Sequence, residues 1–330
     1  MVRNALLGCV LVGVIASAWL VSGADAPKAA DESGIRRAGR LERVSDEQLA
    51  AFEKKVAASP DDFEAVGELG RAYLSRKAFD EAITLLEAFQ VRHRDNLAAH
   101  LALASAYNRA RRLDAAEAVL TAALAQTTKT AAVRFVLADT YLAQEKPDEA
   151  IAELKLALRE APTFFEARFK LGNFLALTGQ FTQAVDAYRR AIKLRDDVVD
   201  VHYNVGSAMM RLRRWAGAAA ANRRVIELQP EMTEAHVNLG DALVRQRRFT
   251  LGRKAYERAI EVDASLGVAH HRLALIHYHF RKFDAAWAEV ETCRKIGYEV
   301  DPRFVEALEQ ARKAAAAAEA ARQKEAAEPC

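Results

Sequence analysis

The sequence has few of the residues that interrupt helices or cross-link a chain. Seven prolines and fifteen glycines occur in 330 residues, which argues against long irregular segments. The three cysteines, Cys9, Cys293 and Cys330, form no CxxC pair or ladder, so neither a zinc site nor a disulfide scaffold is indicated. The net charge is only +3, which is too close to balance to indicate nucleic-acid binding by itself.

What the sequence does contain is a large share of strong helix formers. Ala, Leu, Glu, Arg and Lys dominate, and this mixture favours helices over strands. Apolar residues make up 51% of the chain and charged residues 28%, which is enough to fill a core and solvate a surface.

Residues 1–24 have the pattern of an export signal or a membrane anchor. Arg3 precedes an almost unbroken apolar run from Ala5 to Ala24, which ends in small residues. The run is about 20 residues, long for a cleaved signal and sufficient to span a bilayer as a helix. Cleavage after Ala24 and retention as an inner-membrane anchor therefore both stay open. Either way the remainder is expected on the exported side, in a bacterial periplasm, with polar residues 25–44 as a linker.

A period of 34 residues runs from residue 63 to residue 300 without insertion or deletion. In each window, positions 8 and 20 are Gly or Ala, and position 7 is Leu or Val. Two helices of about 14 residues approach closely only where side chains are small, so these positions predict the crossing points of a helical hairpin. The windows are 63–96, 97–130, 131–164, 165–198, 199–232, 233–266 and 267–300.

The seven windows resemble tetratricopeptide repeats (TPRs). The resemblance implies an all-α solenoid, a right-handed superhelix of helix-turn-helix hairpins whose concave wall is formed by the first helices. A single hairpin cannot bury its own apolar face, so both ends of the stack need covering. Residues 45–62 are predicted to form an N-terminal capping helix that begins after Ser45, and residues 301–330 a C-terminal capping helix with an Ala-rich tail.

By this resemblance, positions 2, 5, 6, 9, 12 and 13 face the concave groove. Asn204 and Asn238 both occupy position 6, with Asn173 one turn along in repeat four, and a row of amides suits an extended peptide. Phe169 and Tyr203 belong to a series of apolar residues at position 5 that is either a track for a ligand or packing between helices. A carboxylate clamp of the kind found in TPR chaperone adaptors is not predicted, since Phe169, Glu234 and Asn238 stand where its basic residues belong.

The turns between the two helices of a repeat are rich in arginine. Equivalent turns align along one edge of a solenoid, so a small net charge conceals a cationic rim. Such a rim suits an anionic lipid or polysaccharide surface, and the alternative is a solvated turn that maintains solubility. The basic edge residues are Arg111, Arg112, Arg213, Arg214, Arg247 and Arg248.

No enzyme, metal site or cofactor is predicted. The histidines of repeat seven are spaced wrongly for helical chelation of zinc, and the four at position 4 recur with the hairpin, which favours packing. Nucleic acid is disfavoured by the export signal and by a lack of exposed aromatic residues among the basic ones. We therefore expect a scaffold that binds a protein or peptide partner in an envelope assembly, with binding to an anionic polysaccharide or lipid surface as the alternative function.

Overall fold

The computed structural model describes residues 44–327, which fold into 16 helices. Within this range there is no strand, and the all-α prediction is confirmed. The described residues fall into two compact units, one that ends at Leu194 and one that begins at Arg195. The predicted leader, the predicted linker up to residue 43 and residues 328–330 lie outside the described residues.

The first unit contains a leading helix followed by four hairpins. The first helix of each hairpin begins at the first residue of a 34-residue window, and the second begins at position 17. The helices are α1 Asp46–Ala58, α2 Phe63–Ser75, α3 Phe79–Arg92, α4 Leu97–Arg109, α5 Leu113–Gln126, α6 Ala131–Ala143, α7 Pro147–Glu160, α8 Phe165–Leu177 and α9 Phe181–Ile192.

The second unit contains three hairpins of the same design and a long terminal helix. Leu308, in the terminal helix, is fully buried against Ala274, Ala286 and Val290, so this helix covers the last hairpin. The helices are α10 Val199–Arg211, α11 Trp215–Leu228, α12 Thr233–Arg245, α13 Phe249–Val262, α14 Gly267–His279, α15 Phe283–Lys295 and α16 Pro302–Ala327.

Each hairpin turns through a residue at position 15 that has a positive φ. Glycine occupies this position only in repeat four, as Gly179. The left-handed conformation costs a non-glycine residue about 1–2 kcal/mol, yet five of the other six residues are basic. They are Lys77, Arg111, Glu145, Arg213, Arg247 and Arg281.

Position 8 of the first helix and position 24 of the second are matched in size. A Cβ added to Gly172 would lie 2.4 Å from the ring of Tyr188, and one added to Gly240 would lie 2.3 Å from Tyr256. In repeats two and three, where position 24 carries Leu120 and Leu154, position 8 carries alanine, whereas repeat one pairs Leu86 with Gly70 and leaves room beside it. Gly172 and Gly240 therefore make room for tyrosine rings in the core.

Repeat five departs from this pattern because Asn222 occupies position 24. Its side chain is buried and donates to the carbonyl of Ala218 at 2.9 Å, while its Oδ1 has no hydrogen-bond partner. An unsatisfied buried acceptor costs roughly 1–3 kcal/mol. We expect Asn222→Leu, which copies Leu120 and Leu154, to raise the free energy of unfolding by about 1 kcal/mol or more in urea denaturation. A lower free energy of unfolding in this variant would contradict the conclusion that Asn222 is an unsatisfied buried group.

Candidate partner-binding surfaces

The first helices α10, α12 and α14 carry the groove residues of the second unit. Asn204 of α10 and Asn238 of α12 occupy position 6 and are half-buried, and these two helices contact each other. In α14 the same position holds Arg272, whose Nε lies 3.0 Å from Oδ1 of Asp241. The two asparagines are therefore followed by an arginine-carboxylate pair rather than by a third amide.

The apolar series at position 5 divides by burial. Leu101, Phe135 and Val237 are buried, so at these places the series is packing between helices. Phe169 in the first unit and Tyr203 in the second are half-buried and keep part of their surface exposed. A continuous apolar track is thus absent from each unit, and only these two side chains remain candidates for ligand contact.

Asn173 has a structural partner that sequence reasoning did not foresee. Its Oδ1 accepts a hydrogen bond from the hydroxyl of Tyr188 at 2.8 Å. The same pair of positions, 9 and 24, recurs in repeat six, where the hydroxyl of Tyr256 donates to Asp241 at 2.6 Å. Burial and the nearby carboxylate raise the pKa of Tyr256 above its usual range. In repeats four and six, a tyrosine at position 24 thus occurs together with a polar residue at position 9. This pairing is visible in the sequence and could have predicted the hydrogen bond.

Position 6 of repeat four holds a buried ion pair. Lys170 Nζ lies 2.5 Å from Oδ2 of Asp139 and 3.6 Å from the centre of the Phe135 ring. Burial lowers the pKa of Lys170, and the Asp139 carboxylate partly opposes that shift. In repeat four this position therefore packs against the first helix of repeat three.

The four histidines at position 4 are buried, as their recurrence with the hairpin predicts. Three of them bond to the backbone carbonyl six residues earlier, which fixes the loop that leads into each first helix. These bonds run from Nε2 of His202 to Asp196 at 2.9 Å, of His236 to Pro230 at 2.8 Å and of His270 to Ala264 at 3.2 Å. The fourth histidine, His100, bonds through Nδ1 to the carbonyl of Asn96 at 3.0 Å.

The six predicted basic edge residues are all exposed. Arg111, Arg213 and Arg247 occupy the left-handed position of their turns, and Arg112, Arg214 and Arg248 directly precede a second helix. In the first unit, Arg112 forms an ion pair with Asp80 of the preceding repeat. Both side chains are largely exposed, so this pair contributes little stability.

One expectation about this edge is wrong. The sequence predicts no exposed aromatic side chain among the basic residues, but Phe280, which precedes Arg281, has 50% of its surface exposed. Its exposure follows from its place at position 14, where the first helix ends and the turn projects from the core. The exposure of Phe280 could not be predicted from its residue type, because most other phenylalanines near the turns are partly covered.

Within residues 44–327 no helix has the length and apolar character needed to cross a membrane. The predicted span, residues 5–24, is outside this range. The described part of the chain also contains no group of three or more His, Cys, Asp or Glu side chains arranged to hold a metal ion.

Sequence comparison identifies the class of the protein. The family model for the tetratricopeptide repeat matches residues 45–95, 79–132, 135–197, 178–233, 204–265 and 237–291. The chain therefore belongs to the tetratricopeptide repeat family, and no catalytic family is indicated. Among curated proteins, none matches the chain by sequence.

Solved structures with the same fold include two TPR proteins of low sequence identity. The C-terminal part of a TPR repeat-containing protein from Cytophaga hutchinsonii aligns with a TM-score of 0.63 and 17% identity, over 73% of this chain and 98% of that one. YrrB, described as a TPR protein with an unusual peptide-binding site, aligns with a TM-score of 0.50 and 18% identity, over 56% and 96%. At these identities the likeness establishes the fold alone.

Proposed function

We propose that the chain is a non-enzymatic scaffold that binds a protein or peptide partner along the first helices of its second unit. The observation that carries this is the pair Asn204 and Asn238 at the same position of two contacting helices. Each amide can both donate to and accept from a peptide backbone, so an extended segment is held without dependence on its side chains. Tyr203 supplies an adjacent, partly exposed apolar surface.

We further propose that this scaffold acts in an extracytoplasmic assembly of a bacterial envelope. Arg3 followed by the apolar run from Ala5 to Ala24 supports export, with the run either removed or kept as an inner-membrane anchor. Cell fractionation with N-terminal sequencing of the mature protein tests this. A cytoplasmic protein that begins at Met1 and does not sediment with membranes would contradict it.

Replacing Asn204 and Asn238 together by alanine should weaken binding of the partner about fivefold or more, because each lost hydrogen bond contributes roughly 0.5–1.5 kcal/mol. The partner is first identified by crosslinking from native membranes, and its affinity is then measured by calorimetry. Both asparagines are half-buried, and the thermal unfolding curve of the double variant is recorded alongside to separate a loss of binding from a loss of stability. The affinity should also vary little with salt, since the contacts are between neutral groups. An unchanged affinity in the double variant would contradict the proposed role of the two amides.

A further inference from the structure

The edge formed by the turns differs sharply in charge between the two units. We define the turn edge as positions 13–19 of each repeat. In the first unit it comprises residues 75–81, 109–115, 143–149 and 177–183, with six basic and six acidic residues. In the second unit it comprises residues 211–217, 245–251 and 279–285, with eight arginines and lysines and a single acidic residue, Asp284. The two edges share one backbone design, so the scaffold alone does not account for the difference.

Contacts between adjacent turns join the second-unit edge into one continuous surface. The Arg245 guanidinium lies 5.8 Å from the centre of the Trp215 ring, and Gln246 Nε2 donates to the carbonyl of Trp215 at 3.1 Å. Farther along, the Phe249 ring stacks on His279 at 4.5 Å and meets Phe280 edge-on at 5.5 Å. Aromatic rings are therefore interleaved with the arginines along all three turns.

Local stability does not explain these arginines. Position 15 has the left-handed conformation that favours glycine. Position 16 precedes the positive end of a helix, where a cation is unfavourable. In repeat two, Asp114 in the first turn of the second helix offsets the charge of Arg112, but repeats five and six have no acidic residue there. The second-unit edge thus carries a concentrated positive charge although neither the turn conformation nor the helix dipole favours arginine at these positions.

We propose that the second-unit turn edge docks onto an anionic phospholipid surface. Basic residues near such a surface are attracted by the negative head groups, and the attraction accumulates over the eight cations. The half-exposed Phe280 matches the boundary between head groups and acyl chains, an apolar layer that a polysaccharide does not offer. The apolar run at residues 5–24 is long enough to place the chain at a bilayer. This inference goes beyond groove binding, because it assigns a second surface and a different partner.

A matched pair of double variants tests the proposal. Arg213→Glu with Arg247→Glu reverses charge at position 15 of two second-unit repeats, and Lys77→Glu with Arg111→Glu makes the same change in the first unit. All four residues are exposed, and Glu145 already occupies position 15 of repeat three in the same conformation, so both variants should fold. Circular dichroism melting curves that match the parent verify this.

The readout is hydrogen exchange of the full chain on vesicles of phosphatidylcholine, with or without phosphatidylglycerol. Pure phosphatidylcholine measures any effect of the leader. We expect phosphatidylglycerol to protect residues 211–217, 245–251 and 279–285, and 0.5 M salt to remove that protection. The docking equilibrium should weaken roughly 25-fold or more in the second-unit variant, since each surface basic residue contributes about fivefold, and stay near the parent value in the first-unit variant.

Three results would overturn the proposal. The first is no difference in protection between the two vesicle types. The second is an equal loss in both double variants, which would indicate a net-charge effect without a defined surface. The third is equal protection by soluble polyglutamate, which would assign the edge to an acidic macromolecule instead of a membrane. None of these results depends on Asn204 and Asn238, so the proposal that a partner binds in the groove is tested separately.

Discussion

Gly240→Ala is expected to destabilise the second unit severely. A methyl group there would lie 2.3 Å from the ring of Tyr256, far inside contact distance. That ring is almost fully buried, and its hydroxyl is fixed by Asp241, so it has no space into which to move. Overpacking of this kind costs roughly 1–3 kcal/mol and occasionally more, and we expect about 3 kcal/mol here. Urea unfolding, together with hydrogen exchange of residues 233–262, measures the effect.

Gly70→Ala is the matched control. The nearest atom to the added methyl group belongs to the flexible Leu86 side chain at 3.5 Å, so there is room. Alanine also favours the helix by about 0.8–1 kcal/mol, so stability should be unchanged or higher. Adding Tyr256→Leu to Gly240→Ala recreates the alanine-leucine pairing of repeats two and three and should recover most of the loss. Equal behaviour of Gly240→Ala and Gly70→Ala would contradict the size matching of positions 8 and 24.

Lys170→Ala is expected to destabilise the first unit by about 3–5 kcal/mol, because it leaves the Asp139 carboxylate without its charge partner. The Lys170 and Asp139 side chains are only 7% and 16% exposed. Oδ1 of Asp139 already has no hydrogen-bond partner, so the remaining carboxylate could not be satisfied by its neighbours. The loss of the ammonium group over the Phe135 ring adds to the effect. The midpoint of urea unfolding measures it.

Two further variants separate the buried pair from a general effect of lysine removal. Lys155 is exposed, and Lys155→Ala should change stability by no more than about 0.5 kcal/mol. Lys170→Met combined with Asp139→Leu removes both charges and should recover most of the stability, since a buried pair is often replaceable by apolar residues. If Lys170→Ala left the stability unchanged, water would already solvate Asp139 and the proposed role of the buried pair would be contradicted.

The fold could be predicted because its signals are local and repeated. Small residues at positions 8 and 20 and an apolar residue at position 7 recur seven times, and the observed first helices begin at Phe63 and at every thirty-fourth residue after it. The turn conformation was harder to predict. Position 15 has a positive φ, but it carries glycine, the residue typical of that conformation, only at Gly179. The division into two units has no counterpart in the period, which continues unbroken through residues 193–198.

The candidate site was less predictable, because one position serves different purposes in different repeats. Position 6 carries half-buried Asn204 and Asn238 in the second unit but the buried ion pair of Lys170 in the first. Asn173, predicted as a groove residue, bonds to Tyr188. These roles depend on which side chains meet across neighbouring helices. The 34-residue period predicts where a residue lies on its hairpin, but the neighbouring side chains determine what its polar atoms bond to.

Site-resolved photocrosslinking tests the scaffold proposal most directly. Ser207 is exposed at position 9 of α10, one turn from Asn204 on the groove face, and Ala220 is exposed on the second helix of the same repeat. A photoreactive residue at 207 should crosslink one defined partner, and the Asn204→Ala, Asn238→Ala background should abolish that product. The same probe at 220 should not capture it. Crosslinking of the partner from 220 alone, or from 207 regardless of the two asparagines, would contradict a partner bound along the first helices.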